Sequence, residues 1–220
     1  MSGLPWDNNS WEVAAQIAAR RPWTPALGTI TVTDTPHPLR TSSPPPQLQI
    51  KTIIVPGKKT TDGQLVEAVA LPWFDIVEIL KKDPSAAFQI DPRTWEEIIA
   101  GAYKKAGFEE VTLTPQSGDH GRDVIAVKRG LGSIRIIDQV KAYKPGHLVS
   151  AEDVRALMGV LQGDGASKGF LTTTSDFAPR LHEDPLIILF IPSRLELING
   201  RMLLDRLKEL AGADEETEKA

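Results

Sequence analysis

The run from Ser117 to Tyr143, SGDHGRDVIAVKRGLGSIRIIDQVKAY, constrains this chain more than any other stretch. A glycine-rich turn leads into Asp123, which opens an apolar run, Val124-Ile125-Ala126-Val127, that reads as a strand. Arg129-Gly130-Leu131-Gly132 supplies a short turn, and Ser133 to Lys141 reads as a second, alternating strand. A hairpin of this register can bring Asp123 close to Gln139 and Lys141. Side chains alternate across a strand, so Gln139 and Lys141 project from one face. A carboxylate, an amide oxygen and an ammonium group gathered in one place would suit a hard divalent cation with a phosphate beside it. The same spacing also suits a carboxylate that ends a turn and two polar residues on the solvent side of an edge strand. The rest of the chain has to decide between them.

At 220 residues the chain has room for one sizeable core and an appendage. With 41% hydrophobic and 25% charged residues it has the composition of a globular protein. No apolar run approaches the ~20 residues of a membrane span, and the start, MSGLPWDNNSWE, lacks the basic and apolar regions of a secretory signal. No membrane partner is therefore expected. Without cysteine, disulfides, Cys-ligated zinc and thiol nucleophiles are excluded, and a cytoplasmic location is expected. The net charge of −4 argues against a strong nonspecific polyanion binder. The excess is concentrated at the C-terminus, where Glu209, Asp214, Glu215, Glu216 and Glu218 face only Lys208 and Lys219. The nearly neutral body can still carry a local basic groove.

Twelve of the 17 prolines fall between Met1 and Pro92, which sets the first part of the chain apart as an irregular extension. Asn9 to Arg21 suits a short amphipathic helix, and Pro36 to Pro46 an extended linker. Gln47 to Val55 and Gln64 to Leu71 read as strands, with Pro56 to Gly63 as the turn between them. Residues 1–71 are thus expected to form a Pro-rich extension with a short β-hairpin. Its Trp6, Trp11 and Trp23 would pack on the main domain or anchor another protein. The main domain is expected over 72–210, and an acidic flexible tail over 211–220.

Within the main domain, Trp73 to Lys82 reads as a helix. Asp91 caps a stronger one, with Pro92 at its first position, Gly107 just past its end, and Trp95, Ile98, Ile99 and Ala102 as its buried stripe. Glu96 and Glu97 on this helix lie about 100° apart and cannot face the same way. A strand at Glu110 to Thr114 precedes the Asp123 hairpin. Ser150 then caps a helix through Leu161, with Asp153 completing a weak capping box. Gly169 to Thr173 reads as a strand, Asp176 to Leu181 as a short helix or turn, Leu186 to Ile191 as a buried strand, and Leu203 to Leu210 as a last helix. Strands joined first by tight turns and later by helices imply an α/β fold, a mixed β-sheet flanked by helices.

The motifs and their order resemble the Mrr-type restriction endonucleases of the PD-(D/E)XK nuclease superfamily. Trp95-Glu96-Glu97-Ile98-Ile99 with Ala106-Gly107-Phe108 resembles that family's first helix. Gly118 to Ala126 resembles its glycine-rich turn into the aspartate strand, and Asp138 to Tyr143 its Gln-x-Lys strand. Val154 to Gly159 and Lys168 to Thr174 resemble the following helix and strand, so the resemblance covers about Pro92 to Leu210. It implies a restriction-endonuclease-like core and a metal-dependent endonuclease that hydrolyses DNA phosphodiester bonds in restriction of foreign DNA. Asp123 would be the central metal ligand. Gln139 would be a further ligand where the superfamily more often has an acid, Lys141 would lie at the scissile phosphate, and Glu96, rather than Glu97, would be the added carboxylate. The cofactor implied is Mg²⁺, with Mn²⁺ as a substitute. His120, Arg122 and Lys144 would contact DNA, and double-strand cleavage implies a homodimer. A repair or junction-cleaving nuclease of the same fold, or a DNA-binding or assembly module without catalysis, fits the same residues. The family's separate DNA-recognition domain has no counterpart in the Pro-rich segment.

Overall fold

The structure, a computed structural model, describes residues 53–117, 121–130 and 132–217. The expected helix at Asn9 to Arg21, the linker at Pro36 to Pro46, the three N-terminal tryptophans and His120 lie outside the described residues.

The chain forms strands β1 (Ile54–Lys59) and β2 (Gln64–Val69), then helix α1 (Leu71–Lys82), a 3-10 turn (Pro84–Gln89) and helix α2 (Pro92–Lys105). Strands β3 (Glu110–Leu113), β4 (Val124–Arg129) and β5 (Ser133–Lys141) follow, then helix α3 (Ala151–Asp164), strand β6 (Lys168–Thr173), a 3-10 turn (Leu181–Glu183), strand β7 (Leu195–Ile198) and helix α4 (Gly200–Thr217). All seven strands make one sheet, in chain order. Neighbours are antiparallel from β1 to β5 and parallel from β5 to β7. Tight turns suffice for the first pairs, whereas the parallel pairs need crossovers. The mixed sheet expected from the order of turns and helices is the one observed.

The β1–β2 hairpin assigned to the N-terminal extension belongs to this sheet, because β2 pairs with β3 through Gln64 and Leu113. Its first strand corrects the sequence reading. Pro56 to Gly63 was expected to be the turn, but β1 continues through Pro56 to Lys59. The turn is shorter, closed by the Thr60 N–H donating to the Gly63 carbonyl at 2.7 Å. Pro56 is tolerated because β1 is the outermost strand, and the register shifts on either side of it. Gly63 packs against the Leu113 backbone so closely that a Cβ there would collide with the Leu113 carbonyl.

Helix α2 forms where its sequence signals place it. The Asp91 carboxylate accepts from the Thr94 N–H at 3.0 Å, and Gly107 takes the left-handed conformation (φ 82°) beyond the last turn. Trp95, Ile98 and Ile99 are buried; Ala102, at the end of the expected stripe, is half-buried. The buried indoles find partners, Trp73 Nε1 donating to the Ile98 carbonyl and Trp95 Nε1 to that of Ala87. Gly101 lets the Trp73 ring lie directly on α2, since a Cβ there would come within 2.7 Å of the ring.

The sheet is covered on both faces. One core lies beneath α1, α2 and α4 and takes Ile136 from β5; the other lies beneath α3 and takes Ile137. Strand alternation therefore sends Asp138 and Val140 to the α2 side, and Gln139 and Lys141 to the α3 side.

The expected buried strand at Leu186 to Ile191 is not a strand. It is a series of turns in which only Ile187 is fully buried, while Leu186, Ile188 and Leu189 are 56%, 54% and 73% exposed. Pro185 and Pro192 bound the segment, and the Asp184 carboxylate accepts from the N–H groups of both Leu186 and Ile187, which curls the chain at its start. The place beside β6 is taken by Leu195–Ile198 instead. The Asp176 to Leu181 segment is not a helix. Phe177 bridges to Val149, and the 3-10 turn begins only at Leu181. Helix α4 runs to Thr217, well past Leu210.

Candidate active site

The register between β4 and β5 builds the site. Val124 pairs with Asp138, and the Asp123 N–H donates to the Asp138 carbonyl at 3.1 Å. One step further along the same ladder, Asp123 stands beside Gln139. Asp123 is 9% exposed, and its Oδ2 accepts from the Val140 N–H at 2.6 Å. Its own carbonyl accepts from both the N–H and the hydroxyl of the buried Thr114, and that hydroxyl also donates to the Arg122 carbonyl. The aspartate at the start of β4 is thus gripped from β3 and β5.

Gln139 points to the α3 side. A Cβ on Gly121 would lie 3.4 Å from both Gln139 Nε2 and Val160 on α3, so the loop before Asp123 passes over the amide. Gly121 has φ 78°, the left-handed region where glycine is favoured. The Oε1 of Gln139 is buried and has no hydrogen-bond partner among the described residues. Lys141 follows on the same face, its Nζ 3.6 Å from Asp153 Oδ1. Asp153 is held in turn by Ser150, whose N–H and hydroxyl donate to Oδ2 at 3.0 and 2.7 Å. Burial pushes the Asp153 carboxyl up, but the Ser150 hydrogen bonds and Lys141 outweigh it and keep the group below the usual carboxylate range. The sequence marked Asp153 only as a capping residue. Its pairing with the lysine joins two elements and carries no local signal.

The adjacent glutamates of α2 diverge as helical geometry requires. Glu97 Oε2 accepts from the Ile53 N–H at 3.3 Å, at the start of β1. Glu96 turns to Arg93, which bonds Glu96 Oε2 at 2.6 Å and the Thr114 carbonyl at 2.8 Å. Glu96 is thereby connected through Arg93 to the residue that grips Asp123.

Of the residues expected to meet DNA, Lys144 is exposed just beyond β5. Arg122 is bound to Asp164 at 2.7 Å. Arg135 reaches the same carboxylate at 2.6 Å, and Asp62 of the β1–β2 turn lies 3.8 and 3.7 Å from the two guanidinium groups.

On the opposite face, Asp138 is 2% exposed and accepts from the Tyr103 hydroxyl at 2.8 Å and the Thr172 hydroxyl at 3.1 Å. Burial pushes its carboxyl up to about 7 against these hydrogen bonds. Alternation places it away from Gln139, so it is no part of the Asp123 site.

Among the described residues, no three His, Cys, Asp or Glu side chains gather as metal ligands. What Asp123 and Gln139 offer is a carboxylate and a buried amide oxygen. This oxygen-only pair fits Mg²⁺, which keeps several of its waters and needs few protein ligands. It does not suit a soft metal.

A family model described as restriction endonuclease, of the Mrr catalytic type, matches residues 87–207. Among solved structures, the chain is similar to the MspJI restriction endonuclease in complex with a 27-mer oligonucleotide (TM-score 0.39, 18% identity, 64% of this chain and 34% of that one). It is similar to the DNA modification-dependent restriction endonuclease AspBHI (TM-score 0.41, 16% identity, 77% of this chain and 44% of that one). It is also similar to AF1548, a protein of unknown function (TM-score 0.39, 13% identity, 50% of this chain and 58% of that one). The chain thus spans about a third to somewhat over half the length of these proteins. No curated protein matches it significantly.

Proposed function

The chain belongs to the restriction endonuclease family whose model spans its residues 87–207, and from that premise we propose that it is a Mg²⁺-dependent endodeoxyribonuclease acting in restriction of foreign DNA. The observation that carries the proposal is the β4–β5 register, in which Asp123 stands beside Gln139 and Lys141 follows on the same face.

In this reading Asp123 and Gln139 hold the cation, and Glu96 approaches it through a water. Bound Mg²⁺ would supply a more acidic water and a counter-charge for the phosphate. The chain's own groups do the rest. Val140 fixes the orientation of the Asp123 carboxylate through its N–H. Gln139 adds an oxygen without adding charge, which leaves the site less anionic than one built from two acids and eases the approach of a phosphodiester. Lys141, steered by Asp153, presents its ammonium to the scissile phosphate and stabilises the charge that develops as water attacks phosphorus and the bond to the leaving oxygen breaks. The ion pair to Arg93 supports Glu96 over Glu97 as the extra carboxylate.

Lys144 is the best placed contact for a neighbouring DNA phosphate, because the Arg122 guanidinium is already committed to Asp164. His120 retains the same assignment. A single such site per chain cuts one strand at a time, so cleavage of both strands calls for two copies.

The test is conversion of supercoiled plasmid to nicked and linear forms with Mg²⁺, beside a panel of single-stranded, branched and RNA substrates. Wild type should cut duplex DNA, and Asp123→Ala should not. A shared background rate for the two proteins would overturn the assignment. Preference for a branched substrate or RNA would move the same chemistry to a junction-cleaving or repair nuclease or a ribonuclease.

A further inference from the structure

A cavity of about 370 Å³ opens on the sheet face away from Asp123 and Gln139, between α2, α4 and strands β5 and β6. Its walls are overwhelmingly apolar, with Ala102, Phe170 and Leu207 among them. At its base lies Asp138. Tyr103 and Thr172 both donate to one oxygen of this carboxyl, Oδ2. The other, Oδ1, is buried and has no hydrogen-bond partner among the described residues. A buried acceptor left in this way costs stability unless something donates to it.

The surroundings limit what that donor can be. The cations nearest the cavity are neutralised: Lys168 and Arg206 both pair with Glu196, and both lie over the Phe170 ring, at 5.2 and 5.4 Å. No cation is left over for an anionic ligand, and apolar walls penalise any charged one. The volume is at the small end of the ~300–1,000 Å³ typical of ligand sites, the size of a fused two-ring molecule.

We propose that this cavity binds a small, uncharged, largely apolar molecule carrying one N–H or O–H donor, which Asp138 Oδ1 receives. The site is separate from the Asp123 centre and does not depend on the nuclease reading. The two are nonetheless neighbours through one peptide group, since the Asp138 carbonyl receives the Asp123 N–H.

Two probes test it on the full chain by calorimetric titration: indole, and benzofuran, which keeps both rings but has an oxygen in place of the N–H. Indole should bind saturably and about tenfold or more tighter than benzofuran, the scale of one hydrogen bond to a buried acceptor. Asp138→Asn, whose amide oxygen would keep the Tyr103 and Thr172 bonds and turn an NH₂ to the cavity, should abolish or reverse that preference. Ala102→Phe should fill the space and remove binding of both probes. Absence of saturable indole binding to wild type, equal affinity for the two probes, or binding untouched by Ala102→Phe would overturn the proposal. If either variant fails to fold, the comparison of probes on wild type decides alone.

Discussion

Asp123 is tied to Val140 by a 2.6 Å hydrogen bond from the Val140 N–H to its carboxylate. Val140 sits between Gln139 and Lys141, so a single contact locks the carboxylate to the strand segment that bears the other two groups. The peptide N–H favours the ionised carboxylate and fixes its direction.

Replacing only the charge of this group separates its two roles. Asp123→Asn should keep a carbonyl oxygen facing Val140 and a near wild-type melting temperature. Plasmid nicking should fall about 10²–10³-fold or more, the scale seen when a single stabilising group is lost from an electrostatic site. A folded variant that still nicks at the wild-type rate would remove Asp123 from the metal site.

Gln139 offers the complementary experiment. Gln139→Glu adds a negative charge to the donor set, and ligand charge tunes affinity for hard cations. The Mg²⁺ concentration for half-maximal nicking should drop about tenfold, one decade being ~1.4 kcal/mol of binding. An unchanged Mg²⁺ requirement would mean that this side chain does not face the cation.

The Lys141–Asp153 pair makes a prediction about positioning rather than chemistry. Asp153→Asn should lower turnover several-fold with little change in substrate affinity, because the ammonium loses its steering partner. Ser150→Ala removes a helix cap and should cost about 1 kcal/mol of stability while leaving the lysine partnered. The opposite pattern, with turnover sensitive to Ser150 alone, would make the pair a structural contact only.

Asp164 governs a pH effect on stability. Its hydrogen bond from Arg135, with Arg122 adding to it against burial, holds the carboxyl below its ordinary value. A depressed folded pKa contributes stability that is present above the unfolded value near ~3.9 and is lost as pH falls through the folded one. Asp164→Asn should therefore destabilise the protein at pH 7 by about 1.5–3 kcal/mol, the range for hydrogen bonds to charged groups. The gap from wild type should close below about pH 4 in urea titrations at stepped pH. A gap independent of pH would show that the ion pairs contribute nothing beyond packing.

The elements that were legible in the sequence are those whose signals are local. Helix α2 carries Asp91, Pro92 and Gly107 at the positions its ends require, and strand β5 alternates over the whole span it occupies. Leu186 to Ile191 misleads because apolar content is shared by buried strands and by turns with one anchoring residue, here Ile187. Strand β7 was missed because four residues, Leu195 to Ile198, are too few to display a period. In the site, Gln139 and Lys141 could be set on one face from spacing alone. The partners that orient them, Thr114, Asp153 and Arg93, come from other elements and are set by the register of the whole sheet.

The strands lie side by side in the order in which they are synthesised. No strand has to be inserted between two that already pair, and each newcomer extends an existing border. The strand that bears Gln139 and Lys141 is consequently the growing border of the sheet until β6 arrives, with a row of main-chain groups open to any passing chain. A product ending within α3 would carry the Asp123 hairpin and still expose that border. Helix α3 and strand β6 therefore act as a guard against misassociation at the same strand whose side chains they help to position.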